Sequence, residues 1–358
     1  MKKLLLLAAV TTIVACSKNE TFNEPNEVPI GFTKVYVENS TKAIATGAYT
    51  TANFEKVGNT FGVFGYKQTS TQTDAQIFTN QKVEYKSGLS SAAGYDATGN
   101  DWTYSPIKYW DKQATAYNFY AYAPHDGDFT GTAALASQSE NAFTISGFQQ
   151  AHTQSAMIDL LADLTSKKSV TGTSIGTNDV AFVFKHILSN INIEMALSST
   201  LKADETDNPV TIVSVKIGNI KMDGGYAYAS SAYAWTLAQS STTAEFSATP
   251  STNAFFEAKA LKSSEVEFTP APGLTDLLFV PQAVDAGYKI TLQYNIGSER
   301  FDKEILLSEF KKNNASLATW APGNKYTYRI IIGPNPILFD ISGVSDWADG
   351  GTYTYTIE

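Results

Sequence analysis

Period-two alternation of apolar and polar residues runs through most of this chain. Its cleanest instance is Tyr288, Ile290, Leu292, Tyr294 and Ile296, separated by Lys289, Thr291, Gln293 and Asn295. Successive side chains of a strand point to opposite faces, so the stretch predicts a strand with one buried face. A first strand is predicted at 28–37, where Val28, Ile30 and Phe32 alternate before Val35, Tyr36 and Val37. TFGVFGYK (60–67) reads as a dense apolar strand with glycines where bulk would not fit. AYNFYAYAP (116–124) sets Tyr120 and Tyr122 on one face and Tyr117 and Phe119 on the other, the pattern of a central strand covered on both sides. In VAFVFKHILSNINIEM (180–195), Phe182, Phe184, His186 and Leu188 share one parity and Ile191, Ile193 and Met195 the other. A bulge or short turn at Ser189-Asn190 would keep both sets on one core. VSVKI (213–217), GGYAYASSAYAW (224–235), NKYTYRIII (324–332) and the last eight residues, with Tyr353, Tyr355 and Ile357, continue the pattern. Only IDLLADL (158–164) has helical character, and it is too short for an independently stable helix. The polar stretches 38–53 and 87–101 read as loops, and the Thr/Ser/Gly-rich 166–179 as a linker. The expectation is all-β: two tandem β-sandwiches, 28–165 and 180–358.

Composition agrees with this class and removes others. Hydrophobic residues make up 43% and aromatics 12%, enough for a packed core, while charged residues are only 17%. Net charge is −9, from 35 acidic against 26 basic residues, and no basic stripe stands out, so nucleic acid is not an expected partner. Arginine occurs only at 300 and 329.

The N-terminus changes the picture more. Met1-Lys2-Lys3 is a basic start, and Leu4 to Val14 is an apolar run well short of the roughly 20 residues that span a bilayer. This reads as a secretory signal over 1–15. Ala15 precedes Cys16, the chain's one cysteine, and the run resembles a bacterial lipobox. On that resemblance the Cys16 thiol is acylated, for instance with palmitate, and 16–27 becomes a polar tether. The other reading is an ordinary cleaved signal with an incidental cysteine. Ser17-Lys18-Asn19-Glu20 resembles the charged tag that sends some lipoproteins to the cell surface. Without a second cysteine, neither an internal disulfide nor a cysteine-based zinc site can form.

Candidate chemistry is sparse. GTSIG (172–176) matches a nucleophile elbow around Ser174, but it leads into a strand pattern where the motif needs a helix. His186 lies on an apolar parity and reads as a hydrogen-bonded core histidine. His125, in PHDGD with Asp126 and Asp128, fits an acidic turn closing a strand better than a metal site. His152 has no evident partner, and Glu265 and Glu267 sit on a solvent parity. No nucleophile, base and orienting group assemble, so no enzyme, metal or cofactor is expected. Trp102, Tyr104, Trp110, Tyr226, Tyr228, Tyr233 and Trp235 could form a glycan-stacking platform, or could simply fill sandwich cores.

An ordered series of motifs carries a family resemblance: TKA near 42, FGVFGYK, YSPIKYW then YNFYAYAP, FKHILSNINI, FVPQ and WAPGNKYTYRIII. From about 28 to 347 the chain resembles fimbrillins, the lipoprotein-exported subunits of type V pili of anaerobic Gram-negative gut and oral bacteria. The resemblance implies two transthyretin-like β-sandwiches and a cell adhesion role. It also implies an outer-membrane, lipid-anchored precursor at the cell surface that joins a fimbrium by donor-strand exchange. The removable strand would be Val28, Ile30, Phe32, Val35 and Val37. A surface protease would cut in the following loop, where Lys42, before Ala43, stands in for the family's arginine. Replacement strands would come from a neighbour's tail, at Ile337, Phe339 and Ile341 or at Tyr353, Tyr355 and Ile357. Expected partners are other fimbrial subunits, that protease and a host or bacterial surface receptor. Stalk, anchor and tip roles stay open. The rival is a surface glycan-binding lipoprotein that never polymerises.

Overall fold

A computed structural model of the chain describes residues 28–32, 35–38, 49–72, 75–88, 101–136, 143–163, 170–176, 179–198, 210–229, 232–239, 243–248, 269–271, 274–312, 315–333, 338–340, 348–349 and 355–356. Within them the fold is all-β. The four-residue turn Thr51–Phe54 is the one α-helical element among the described residues, capped by the Thr50 hydroxyl and the Asn53 side chain.

The largest sheet runs Val35–Val37, Phe182–His186, Leu161–Asp163, Ala116–Ala123, Thr60–Gln68, Ala75–Lys86, Asp101–Thr103, with Val170–Thr171 beside Ala116–Ala123. A second sheet is built on the parallel pair Ser189–Leu197 and Asn324–Ile332. Two four-stranded sheets complete the frame: Thr243–Ala248, Val210–Lys221, Lys289–Ile296, Glu299–Leu306, and Ala232–Leu237, Asp223–Ala229, Phe143–Gln149, Thr130–Leu135. Pairing crosses the 166–179 segment in both directions. Phe182–His186 joins Val35–Val37 and Leu161–Asp163, while Phe143–Gln149 pairs with Asp223–Ala229.

Two apolar clusters form, and the large sheet faces both. In Ala116–Ala123, Tyr117 and Phe119 enter one cluster and Tyr120 and Tyr122 the other. Thr60–Gln68 divides likewise, Phe61 and Val63 against Phe64 and Tyr66. Space between these strands is scarce. A Cβ on Gly62 would lie 2.3 Å from the Tyr122 ring, and one on Gly65 2.7 Å from Phe78.

Two sequence expectations need correction, for one physical reason. The described part of the 158–164 stretch, 158–163, is no helix: Leu161–Asp163 is a strand, with Leu161 in one cluster and Leu160 and Ala162 in the other. Apolar residues in a row suit a strand covered on both faces. The phase flip at 189–190 does not return the chain to a single core either. Phe182 and Phe184 belong to the first cluster, but Leu188, grouped with them by parity, already lies in the second with Ile191, Ile193 and Met195.

Candidate functional site

The first cluster is closed by the front of the chain. Ile30, Phe32, Val35 and Val37 are each at most 3% exposed, whereas Val28, expected to be buried with them, is 38% exposed. The ring of Phe32 meets five aromatic rings, those of Phe61, Phe78, Tyr104, Phe119 and Phe182, at centroid distances of 5.4 to 6.3 Å. Full burial of each such side chain stabilises by roughly 1.5–3 kcal/mol, so this plug contributes on the order of 10 kcal/mol gross.

Backbone bonding divides the segment in two. Residues 28–32 run along 108–110: the Ile30 amide donates to the Lys108 carbonyl at 2.8 Å and the Trp110 amide to the Val28 carbonyl at 2.9 Å. The Tyr104 hydroxyl donates to the Ile30 carbonyl at 2.7 Å, and the Val180 amide to that of Gly31 at 2.9 Å. Val35–Val37 then pairs in parallel with Phe182–His186 and forms the outermost strand of the large sheet. Glu38 ends the run, its amide on the Phe184 carbonyl and its carboxylate 2.9 Å from Lys185.

Past residues 39–48, which lie outside the described residues, the chain is held again. The Tyr49 amide donates to Asp159 Oδ2 at 2.7 Å, and Asp159 Oδ1 lies 3.1 Å from His186 Nδ1. His186 thus takes the hydrogen-bonded core role read from its parity. Burial, reinforced by the Asp159 carboxylate, pushes the Tyr49 phenol up to about 12. The Tyr49 ring meets Phe54 edge-on, and Phe54 packs on Trp102 and Phe184. Residues 39–48 are therefore preceded by a plug and followed by a clamp. Sequence reasoning does not place Tyr104, Lys108 or Asp159 at this site. Only the acid inside an apolar run, Asp159 in IDLLADL, offers a local signal.

The tail is mounted differently. Leu338–Asp340 pairs antiparallel with Asn324–Ile332, Phe339 opposite Ile330, and Tyr355–Thr356 pairs outside it, Tyr355 opposite Phe339. Cys16, Lys42, Ala43, Ile337, Ile341, Tyr353 and Ile357 lie outside the described residues, as do Glu265 and Glu267.

The aromatic platform does not form. Trp102, Tyr104, Trp110, Tyr226 and Tyr228 are buried, and Trp235 is partly buried with its indole N–H on the Ile187 carbonyl. Of the seven, Tyr233 alone is exposed. His125 caps the 126–128 turn by accepting the Gly127 amide, and Asp126 accepts from Asn80 and from the Ala133 amide, which supports the turn reading. After GTSIG the chain enters the strand Phe182–His186, not the helix that an elbow requires.

Comparison with known proteins agrees with this architecture. A solved fimbrial protein from Bacteroides vulgatus superposes with a TM-score of 0.55 at 20% identity, covering 88% of this chain and 99% of that one. The fimbrium subunit Fim1C of Phocaeicola vulgatus is 25% identical over 233 residues, 63% of this chain and 57% of its own length. The chain thus spans less than two thirds of that relative. The family model described as fimbrillin-like matches residues 42–347. With most of its length matched by that model, the chain belongs to the fimbrillin-like family.

Proposed function

We propose that this chain is a fimbrial subunit that polymerises by strand exchange at the cell surface. It is exported as a lipoprotein acylated at Cys16, and a surface protease cuts the 39–48 loop after Lys42. The segment 28–37 then leaves, and a neighbour's tail fills its slot. The observation that carries this reading is the front segment's placement: edge-lying, bearing the residue that fills an aromatic pocket, and followed by a loop whose far side is held separately at Asp159. Strand addition would supply main-chain hydrogen bonds for affinity and alternating pockets for specificity. Head-to-tail contact of this kind is heterologous and propagates into a filament. The fimbrillin-like family and the fimbrium subunit among its relatives support the same reading.

The test is mixing. Protein cut in the 39–48 loop should form ladders resistant to mild SDS, and uncut protein should remain monomeric. Cut protein that stays monomeric at high concentration would overturn the proposal. The N-terminal residue of surface-isolated protein separates an acyl-Cys16 form, which suits an anchor, from an Ala43 form, which suits a polymerising subunit.

A further inference from the structure

A buried polar cluster joins the two central strands of the second sheet. Asn190 lies directly opposite Lys325 in the parallel pair Ser189–Leu197 and Asn324–Ile332. Ile191, Ile193 and Met195 enter the second apolar cluster, so Asn190 and Asn192 lie on the other face of their strand. Both are buried all the same, Asn190 at 0% exposure. Asp276 reaches them from just before the strand Leu277–Phe279, which pairs with Ser189–Leu197. Its Oδ1 accepts from Asn190 Nδ2 at 3.0 Å and lies 3.2 Å from Lys325 Nζ. Amine, amide and carboxylate thus meet at one oxygen atom. The rest of the cluster orients them. Asn192 Nδ2 donates to Asn190 Oδ1 at 2.7 Å, and the Asp276 amide donates to Asn192 Oδ1 at 2.9 Å. That second bond helps to hold Asp276 at a φ of 51°, a left-handed conformation that non-glycine residues seldom adopt. Apolar side chains would hold the strands together as well, since burying charges and amides costs solvation.

We propose that the Lys325 amine and the Asn190 side-chain amide condense into an isopeptide bond, with Asp276 as the catalytic residue that moves the protons. The Lys325 ammonium first gives a proton to the Asp276 carboxylate across their ion pair. The free amine attacks Asn190 Cγ, and the negative charge that develops on Oδ1 is met by the Asn192 N–H already bonded there. Asp276 gives its proton to Asn190 Nδ2 and takes one from the attacking nitrogen. The Cγ–Nδ2 bond breaks, and ammonia leaves with the proton that Asp276 then holds. One ammonium and one amide become one amide and one ammonium ion, with no oxidant or co-reactant.

The bond closes the chain from 190 to 325 into a covalent ring whose two ends lie on neighbouring strands. Leu338–Asp340 pairs along Asn324–Ile332, so a pull on the tail reaches that strand first. A covalent tie between Lys325 and Asn190 stops the strand from being drawn out of the sheet. The proposal stands apart from strand exchange and needs no cut at the front of the chain.

The experiment is tryptic mapping of the whole protein by tandem mass spectrometry. Tryptic cleavage sites bound the peptides 186–202 and 313–329, and Lys325 lies inside the second. They should appear as one branched peptide, lighter than the sum of its parts by one ammonia and uncut after Lys325. Separate linear peptides with cleavage after Lys325 would overturn the proposal and leave an ion pair. An ammonia loss from 186–202 that persists in Lys325→Arg is cyclisation of an asparagine, and it would overturn the proposal too. The parent map decides without any variant, so a variant that fails to fold does not obscure it. Asp276→Asn keeps the shape and removes the proton carrier. It should slow linkage by roughly 100-fold or more, followed as the linked fraction against time after cell-free synthesis. Asn192→Ala, which removes the oxyanion donor, should slow linkage as well. Linkage at the parental rate in Asp276→Asn would remove Asp276 from the chemistry.

Discussion

The front segment and the tail are held in opposite ways. The front is a plug. Ile30, Phe32, Val35 and Val37 lie in an aromatic core, and main-chain bonds join 28–32 to the 108–110 strip on one side and to Val180 on the other. The tail is an extension, with Leu338–Asp340 paired along Asn324–Ile332 and Tyr355–Thr356 outside it. Val35–Val37 is the last strand of its sheet, whereas Leu338–Asp340 has a strand on each side. The difference teaches that a segment at a sheet edge can still be a core element, when its side chains carry the hold that main-chain pairing lacks.

The comparison breaks most visibly at Phe32. Phe32→Ala should cost about 3–5 kcal/mol by urea unfolding, because five rings lose their common neighbour. Truncation after Gly333 should leave the urea midpoint nearly unchanged while abolishing SDS-resistant ladders. Equal losses of stability from the two changes would mean that the tail is as much a core element as the plug.

Next comes the clamp. Asp159 is buried and serves both the Tyr49 amide and His186 Nδ1. Asp159→Ala leaves both groups without that acceptor and should cost about 3 kcal/mol. Hydrogen exchange should rise at 49–54 and stay unchanged at 28–32, which are held from the other wall. Asp159→Asn, which keeps one acceptor oxygen, should be milder.

Plug and clamp differ in how far the amino-acid sequence reveals them. Tyr117 and Phe119 against Tyr120 and Tyr122 are legible, because strand parity alone assigns faces. The two cores those faces serve are not, because parity says nothing about what lies opposite. That gap explains why IDLLADL looks helical: Leu160 and Leu161 point into different clusters and leave no alternation to detect. It also bears on 180–195, where Phe182 and Phe184 serve one core and the chain from Ile187 onward serves the other, so the change of core precedes the change of parity. The plug's buried residues follow from alternation except Val28, an end position whose exposure depends on the neighbouring 108–110 strip. The walls are illegible for a related reason. Phe32 draws its neighbours from 61, 78, 104, 119 and 182, and no local pattern joins positions so far apart.

Val35→Ser tests how far packing holds the front segment. A hydroxyl in that fully buried position should cost about 2 kcal/mol. Plug release after loop cutting should accelerate accordingly, followed as loss of the small fragment on gel filtration. An unchanged release rate would show that the tether, and not the packing, keeps the front segment in place.

The smallest effect is electrostatic and distinguishes the two segments by pH. Lys67 Nζ lies 2.9 Å from Asp111 Oδ2, and Asp111 terminates the 108–110 strip along which the front segment runs. The Lys67 hydrogen bond, followed by that of the Gln113 amide, holds the Asp111 carboxyl below the usual carboxylate range. A depressed folded-state value means that the pair stabilises the fold above the unfolded pKa, and that the contribution is lost as pH falls through the folded one. Both side chains are partly exposed, so solvent screening limits the contribution to under about 1 kcal/mol. Lys67→Met should therefore lower the thermal midpoint slightly at pH 7 and speed hydrogen exchange at the Ile30 and Trp110 amides. Both differences should vanish at acid pH, where Asp111 is protonated in parent and variant alike. Tail amides at 338–340 should respond at neither pH. A difference that persisted unchanged into acid would place the effect in the packing of the Lys67 stem, and the strip's hold on the plug would not be electrostatic.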